Sequence, residues 1–315
     1  AEILNTERKG YIEIIAVQGV LPSYTKLGMA ALLPHQRIEI NDNYEVFVDG
    51  ISANGTDNRN VILQNHVNKS LAIQYSNIID LKRDDLRKLV SGKELIYIFH
   101  NSIDARGDHY LTEREVFDAV AETFEQLNSL VNMLVNHLSA THIYITSDHG
   151  FFYKRGIVEE SEKTSKENID DAYENRRFIL TNKPVEIEGT LSFDMKYLLG
   201  DDSQLKCIVP RSINKFEMKG AGINYIHGGS SLQEIVIPVI YFKNERGKSA
   251  KDVQKVKVTL FSVTRKITNT ITYLEFFQTE KVADKVVPCR LKVYLADEDG
   301  NRISNENIII ADSRS

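Results

Sequence analysis

The side chains able to do chemistry in this chain gather in four short stretches. "TSDHG" (146–150) places Asp148 and His149 directly after an apolar run, with no turn residue before them. "HNSIDARGDHY" (100–110) supplies Asp104, Asp108 and His109, "NYIHGGSS" (224–231) supplies His227, and "LPSYTKLG" (21–28) supplies the hydroxyl of Thr25. A loop needs no adjacent Asp and His at a strand end, but a cation does. Mixed carboxylate and imidazole donors suit zinc, manganese or iron, whereas an all-oxygen set suits magnesium or calcium. Two such ions, roughly 3.5–4 Å apart, can clamp the attacking and leaving oxygens of an in-line displacement at phosphorus. A hydroxyl at a helix start also lies beside free backbone N–H groups that favour a phosphate oxygen. By residue type alone, N-capping by Ser23 or Thr25 accounts for the same hydroxyls.

These residues need elements to position them. "KELIYIFHNSID" (93–104) reads as a buried strand, because Leu95 to Phe99 is a continuous β-rich run of the kind found in parallel sheets. "LTEREVFDAVAETFEQLNSLVNMLVNHLSA" (111–140) reads as a long amphipathic helix, opened by a Thr112/Glu115 capping box. Val116, Val120, Phe124, Leu127, Leu130 and Leu134 keep helical spacing on one face. "THIYITSDHG" (141–150) is a second buried strand. Strand, helix, strand is a βαβ unit, and ligands gather at the carboxyl ends of such strands, where Asp104 and Asp148 both fall. Gly228 and Gly229 let the backbone pass close to a bound ion. Residues 156–177 are polar and read as a surface excursion, with Lys154, Arg155, Arg176 and Arg177 as solvated charges able to face a phosphodiester. His35, His66, His100, His137 and His142 read as packing or surface residues. After residue 248 the pattern turns to alternating short strands such as "VKVTLFSV" and "CRLKVYLADEDG", which predicts a small β-sandwich-like domain over 249–315 behind an α/β core over 1–248.

Composition limits the functional class. The chain has 315 residues, 42% hydrophobic and 26% charged, as expected of a folded globular protein of two domains. No run approaches the roughly 18–20 apolar residues that cross a bilayer. Cys207 and Cys289 are far apart and read as buried free thiols, which suits a reducing cytoplasm. Residues 249–315 carry +2 of the net −5, leaving −7 on 1–248. A region this acidic does not bind phosphate backbones by bulk charge, so a phosphate-ester substrate needs metal to supply local positive charge. The chain opens "AEILNTERKG" without Met, and its first Asp is Asp42, so it is expected to be a piece of a longer protein.

"LPSYTKLGMAALLP", "HNSIDARGD", "TSDHGFFYKR" and "HGGSSLQEIVIPV" together resemble, in order, the PglZ family of bacterial phage-defence (BREX) systems, a branch of the alkaline phosphatase superfamily. The resemblance implies a doubly wound α/β sheet with a two-metal site, usually zinc, with manganese as the alternative. It also implies a metal-dependent phosphohydrolase, more specifically a phosphodiesterase acting on nucleotides or nucleic acid, with other BREX defence proteins as partners. By the same resemblance Thr25 is the nucleophile, Asp148 and His149 hold the metal beside it, and Asp104, Asp108 and His227 hold the second. Relatives often carry a His four residues after the first of these aspartates. Asp108 stands at that position here, with His109 as the substitute ligand. The superfamily's first ligand is an Asp on a strand ahead of the nucleophile. No Asp precedes Asp42, so that strand and its Asp are expected to be missing, leaving this piece nearly inactive and the activity with the parent protein. A scaffold that keeps the fold and docks other defence proteins is the alternative function. "SYTKL" lacks the C/S-x-P-x-R setting of sulfatases, which disfavours that chemistry.

Overall fold

The computed structural model describes residue 4 and residues 10–109, 111–156, 159–166, 168–218, 224–245, 253–261, 266–267, 271–283 and 285–314. Strand β1 (Tyr11–Gln18) runs ahead of Thr25; its one carboxylate is Glu13, and Ile14, Ile15 and Val17 on it are exposed. Helix α1 (Thr25–Ala31) follows, then an antiparallel meander of β2 (Ile38–Ile40), β3 (Val46–Val48) and β4 (Ile51–Ser52). Helix α2 (Thr56–His66) leads into β5 (Ser70–Gln74), and α3 (Arg83–Val90) returns the chain to β6 (Leu95–Phe99). β5 and β6 pair in parallel, Ser70 opposite Leu95 through Gln74 opposite Phe99, a pairing that requires such a crossover helix. Next come α4 (Ser102–Gly107), α5 (Val116–Leu138) and β7 (His142–Ile145).

Beyond the site-bearing turn at 148–150 lie β8 (Phe152–Tyr153), β9 (Lys163–Thr164), β10 (Tyr173–Glu174), β11 (Ile179–Thr181), β12 (Thr190–Asp194) and β13 (Lys206–Pro210). Four of these form an antiparallel sheet in the order β10–β11–β13–β12. β14 (Lys215–Phe216) pairs with β9, and β15 (Tyr225–Ile226) pairs antiparallel with β8. The chain then passes through α6 (Leu232–Ile235) into β16 (Val236–Lys243), the middle strand of the sheet β1–β16–β7. The fold is thus mixed α/β. Its largest apolar cluster includes Tyr24, Leu27 and Ala30 of the Thr25 segment with Phe178, Leu180 and Val209. Burying a side chain of the size of Leu27 contributes about 1.5–3 kcal/mol, so α1 is anchored by its inner face.

The residues fall into two compact units, one of Ile14–Ala140 with Tyr144–Ile240, the other of Ala1–Glu13, Thr141–Ile143 and Tyr241–Ser315. In the second unit, antiparallel pairs of Val258–Leu260 with Phe276–Gln278 and of Cys289–Val293 with Asn307–Ala311 accompany an apolar cluster of Val256, Cys289 and Ala311. The boundary expected near residue 248 lies outside the described residues. Cys207 and Cys289 are both buried free thiols.

Three local expectations need correction. The Thr112/Glu115 capping box does not form: Thr112 Oγ1 donates to the Arg106 carbonyl at 2.8 Å, near the end of α4, and a 3-10 turn (Glu113–Glu115) precedes α5. The hydroxyl is drawn away by a nearer orphan carbonyl. The buried stripe of α5 is Val116, Ala119, Thr123, Leu130 and Val131, while Phe124 is 58% exposed. Spacing alone fits several overlapping stripes, and packing selects one. The strands read as fully buried are not: β6 is half-buried throughout, and only Ile143 of β7 is buried.

Candidate metal centre

Thr25 is the first residue of α1, behind the extended N-cap Tyr24, and no side chain caps the helix. The capping reading therefore fails for both hydroxyls. Ser23 Oγ donates instead to the Gly229 carbonyl at 2.8 Å, and the Ser23 amide donates to the Gly228 carbonyl at 3.2 Å. The Thr25 Oγ1 lies 3.0 Å from His149 Nε2.

The ring of His149 is fixed by its other nitrogen. Nδ1 sits 3.0 Å from the Gly150 carbonyl, which can only accept, so Nδ1 carries the proton. In the neutral ring Nε2 therefore turns a lone pair toward Thr25 Oγ1. Nε2 is also 3.5 Å from Asp148 Oδ2 and 3.6 Å from Asp104 Oδ2. Asp148 is buried, and its Oδ2 has no hydrogen-bond partner among the described residues. Burial drives the Asp148 carboxyl above its usual range and the Asp104 charge adds to this, against the opposing pull of His149. A buried carboxylate oxygen without a donor is costly unless a cation meets it. Asp104, Asp148 and His149 each offer one ligand atom, all within 4.8 Å of one another. This donor set fits a divalent metal.

Asp104 is held from its other side by the Tyr225 hydroxyl, which donates to Oδ1. Burial, then the Asp104 charge, pushes the Tyr225 phenol far above its ordinary range, so it stays protonated as a donor. His227 follows β15 and stacks on His149, with ring centroids 4.0 Å apart and planes 4° from parallel. Its Nδ1 faces the Ser23 carbonyl at 3.3 Å, which by the same logic leaves Nε2 to face Asp108 Oδ1 at 3.5 Å. Burial pulls the His227 pKa down, but the bond to Asp108 and the Asp104 charge outweigh it and raise the value above the usual range. Asp108 is the most open of the group, its side chain 56% exposed. His109 is exposed, its Nδ1 accepting from the Leu111 amide at 3.4 Å rather than joining the cluster. Asp104 thus groups with Asp148 and His149 while also acting on His227, so it borders both halves of the cluster.

Several contributors escaped sequence reasoning. Arg177, read as a solvated charge, is 0% exposed and bonds Glu234 through Nε (2.9 Å) and Nη2 (2.6 Å). The Gly229 amide (2.9 Å) and the Ser231 hydroxyl (2.6 Å) also donate to Glu234. Ser231 and Glu234 form a capping box on α6, a spacing visible in "SLQE". The glycines at 228 and 229 approach protein rather than an ion: a Cβ on Gly229 would lie 2.5 Å from the Arg177 guanidinium, and one on Gly228 2.5 Å from Phe178. Gly28 allows α1 to touch the site, since a Cβ there would lie 2.4 Å from the Asp148 carbonyl. Lys154 pairs with Glu162, and Arg155 lies over the Phe117 ring. No helix among the described residues is long and apolar enough to cross a membrane.

A solved structure similar to this chain is that of murine ectonucleotide pyrophosphatase/phosphodiesterase 5, an inactive variant in complex with AMP. The TM-score is 0.47 at 9% identity, covering 77% of this chain and 81% of that one. Among curated proteins, the alkaline phosphatase-like protein PglZ of Bacillus cereus is 55% identical over 316 residues, which is 100% of this chain and 37% of that protein. The alkaline phosphatase-like protein BrxZ of Escherichia coli is 32% identical over 317 residues, 98% of this chain and 36% of that protein. The chain therefore spans little more than a third of the length of these relatives. Residues 1–242, which contain every group of the cluster, match the family described as the BREX system PglZ alkaline phosphatase-like domain. On that match the chain is a member of the PglZ family of BREX systems.

Proposed function

We propose that the protein of which this chain is part hydrolyses phosphodiesters of nucleotides or nucleic acid, with Thr25 as nucleophile. The observation that carries this reading is the Thr25 hydroxyl, 3.0 Å from His149 Nε2, beside the unpartnered buried Oδ2 of Asp148. A helix cap or a docking scaffold needs neither. Asp148 and His149 would hold one ion next to Thr25, and Asp104, Asp108 and His227 the other. Two divalent ions, zinc or alternatively manganese by donor type, would supply positive charge for the phosphoryl oxygens.

The residues then divide the work. Thr25 Oγ1 attacks phosphorus after losing its proton, and the bond it forms replaces the bond to the leaving alkoxide, which takes up a proton. Hydrolysis of the resulting threonyl ester returns the hydroxyl. The hydrogen bonds from His149 Nδ1 to Gly150 and from His227 Nδ1 to Ser23 hold both Nε2 atoms toward the centre, as second partners of ligating imidazoles do. Tyr225 keeps Asp104 aimed inward. Cytoplasmic action alongside other BREX proteins belongs to the same reading; the two free thiols support the compartment, and family membership supports the partners.

The test is Thr25→Ala and His227→Ala in the full-length protein, assayed with a generic aryl phosphodiester and by metal analysis. Thr25→Ala should abolish turnover with metal content kept, and His227→Ala should lower metal content with the fold intact. Unchanged turnover in Thr25→Ala would remove that residue from the mechanism.

A further inference from the structure

A second polar feature includes the residue that follows Thr25 in the chain. A cavity of about 30 Å³ is lined by Lys26, Glu45, Val46, Ser52, Asn54 and Arg59, among others. At roughly 10–15 Å³ per water site it has room for two or three waters, enough for one phosphate group and too small for a nucleobase. Two of its lining side chains are cations with no carboxylate partner among the described residues. Arg59 is half-buried: its Nε donates to the Ala53 carbonyl at 2.9 Å, and its guanidinium lies over the Phe99 ring at 5.1 Å. The four N–H groups on its two Nη atoms make no hydrogen bond within the described residues. Lys26 Nζ stands over the Tyr173 ring at 5.8 Å. Glu45 is the one acid in the lining, and its Oε2 accepts from Asn41 Nδ2 at 3.2 Å.

Three observations tie this cavity to the metal centre. Lys26 is the residue after Thr25. Phe99, under Arg59, ends the strand that leads into the Asp104 helix. Burial lowers the Arg59 pKa while the Asp148 charge raises it, so the two groups sense each other without forming an ion pair. A guanidinium held by one hydrogen bond and one ring, with its fork open, is pre-organised for a planar or tetrahedral oxyanion.

We propose that Arg59 and Lys26 form an anion subsite for a second, non-reacting phosphate next to the one attacked at Thr25. The subsite rests on the phosphodiesterase reading for its role, and it restricts the substrate class: the preferred substrate carries two neighbouring phosphates. Those can come from a nucleoside diphosphate or from consecutive nucleotides of a strand.

Equilibrium binding to the full-length Thr25→Ala protein tests this without relying on turnover, so it stands whether or not hydrolysis is observed. The probes are thymidine monophosphate, thymidine diphosphate and 5′-phosphorylated dithymidylate, titrated calorimetrically. One charge-assisted contact is expected to tighten binding about 10- to 100-fold, so a two-phosphate probe should exceed the monophosphate by that factor. Whichever of the two gains identifies the source of the second phosphate. Arg59→Met and Lys26→Met, each added to Thr25→Ala, should erase most of that gain and leave monophosphate affinity within about 3-fold. Lys26→Met alters an exposed side chain, and Arg59→Lys keeps both charge and stem over Phe99, so the test survives a misfolded Arg59→Met. The proposal is overturned if neither two-phosphate probe gains, or if the gain persists in Lys26→Met and Arg59→Met. Equal loss for the monophosphate and the two-phosphate probes would place Arg59 on the reacting phosphate and overturn it equally.

Discussion

Glu234→Gln probes the buried pair beneath the site. Both Glu234 and Arg177 are fully buried, and Glu234 accepts from Arg177 Nε and Nη2, from the Gly229 and Ser231 amides, and from the Ser231 hydroxyl. The amide of Gln keeps one acceptor oxygen and turns an NH₂ donor toward donors. The Arg177 guanidinium would then be left with the carbonyls of Ser212 and Asn214, a positive charge without its counter-ion. Removing one member of a buried ion pair costs about 3–5 kcal/mol, a large part of the 5–15 kcal/mol that typically separates folded from unfolded states. The double variant Arg177→Met with Glu234→Leu removes both charges. It should cost less than the two single substitutions summed, because no uncompensated charge remains, while the stranded Gly229 and Ser231 donors keep part of the loss. The pH dependence has a definite sign. Burial alone would raise the Glu234 pKa, but the Arg177 bonds and charge outweigh it and hold the value below the usual range. The stabilisation is therefore fully present above the unfolded value of about 4.3 and is lost as pH falls through the lower folded value, so Glu234→Gln should flatten that acid limb. The assay is urea denaturation of the wild type and both variants from pH 3 to 8. A cost under about 1 kcal/mol for Glu234→Gln, or a double variant as damaging as the summed singles, would refute the argument.

Two further substitutions test how the site is held. Gly28→Ala drives a Cβ to 2.4 Å from the Asp148 carbonyl and 2.9 Å from its Cβ, so it should cost about 1–3 kcal/mol by overpacking and weaken metal binding by displacing Asp148. A melting curve and metal titration indistinguishable from wild type would remove that contact from the account. Tyr225→Phe deletes the donor to Asp104 Oδ1 and should lower metal affinity about 10- to 100-fold, with only about 0.5–1.5 kcal/mol lost from stability. An unaltered metal titration would show that Asp104 is aimed without it.

What could be read from the sequence follows a physical line. Asp104, Asp108, Asp148, His149 and His227 stand out because carboxylates and imidazoles at the ends of apolar runs have few structural uses, and the fold brings all five into one region around Thr25. Whether Thr25 caps its helix was undecidable from residue type, because the answer depends on Ser23 meeting Gly229, a partner 206 positions away. Arg177 reads as a surface charge from its polar neighbours. Its burial is set by Glu234, 57 residues on, and no local pattern carries that. Phe124 fits the helical repeat of α5 yet is exposed, since several stripes fit the same spacing and tertiary packing chooses among them. Arg59 carries no sequence signal, because the open fork of its guanidinium among the described residues is a product of packing and not of neighbouring residue types.

The geometry of the centre is set less by the sheets than by a short weave of backbone. Ser23 contributes three strands of it: its amide and hydroxyl bond the carbonyls of Gly228 and Gly229, and its own carbonyl receives His227 Nδ1. The segment carrying Thr25 and the loop carrying His227 are therefore tied at three points within two residues of each functional side chain. Glu234 ties the same loop to Arg177 through its side chain and to the His149 turn through its backbone, where the Gly150 amide donates to the Glu234 carbonyl at 2.9 Å. A displacement of any one of these segments must break hydrogen bonds in the other two. That coupling fixes the distance between the Thr25 hydroxyl and the His149 imidazole, which is what the proposed reaction would require if geometry is to supply much of its rate. Damage at Arg177, which makes no hydrogen bond to Asp104, Asp108, Asp148, His149 or His227 among the described residues, should therefore register in a metal titration through a displaced His227 loop as well as in the melting curve.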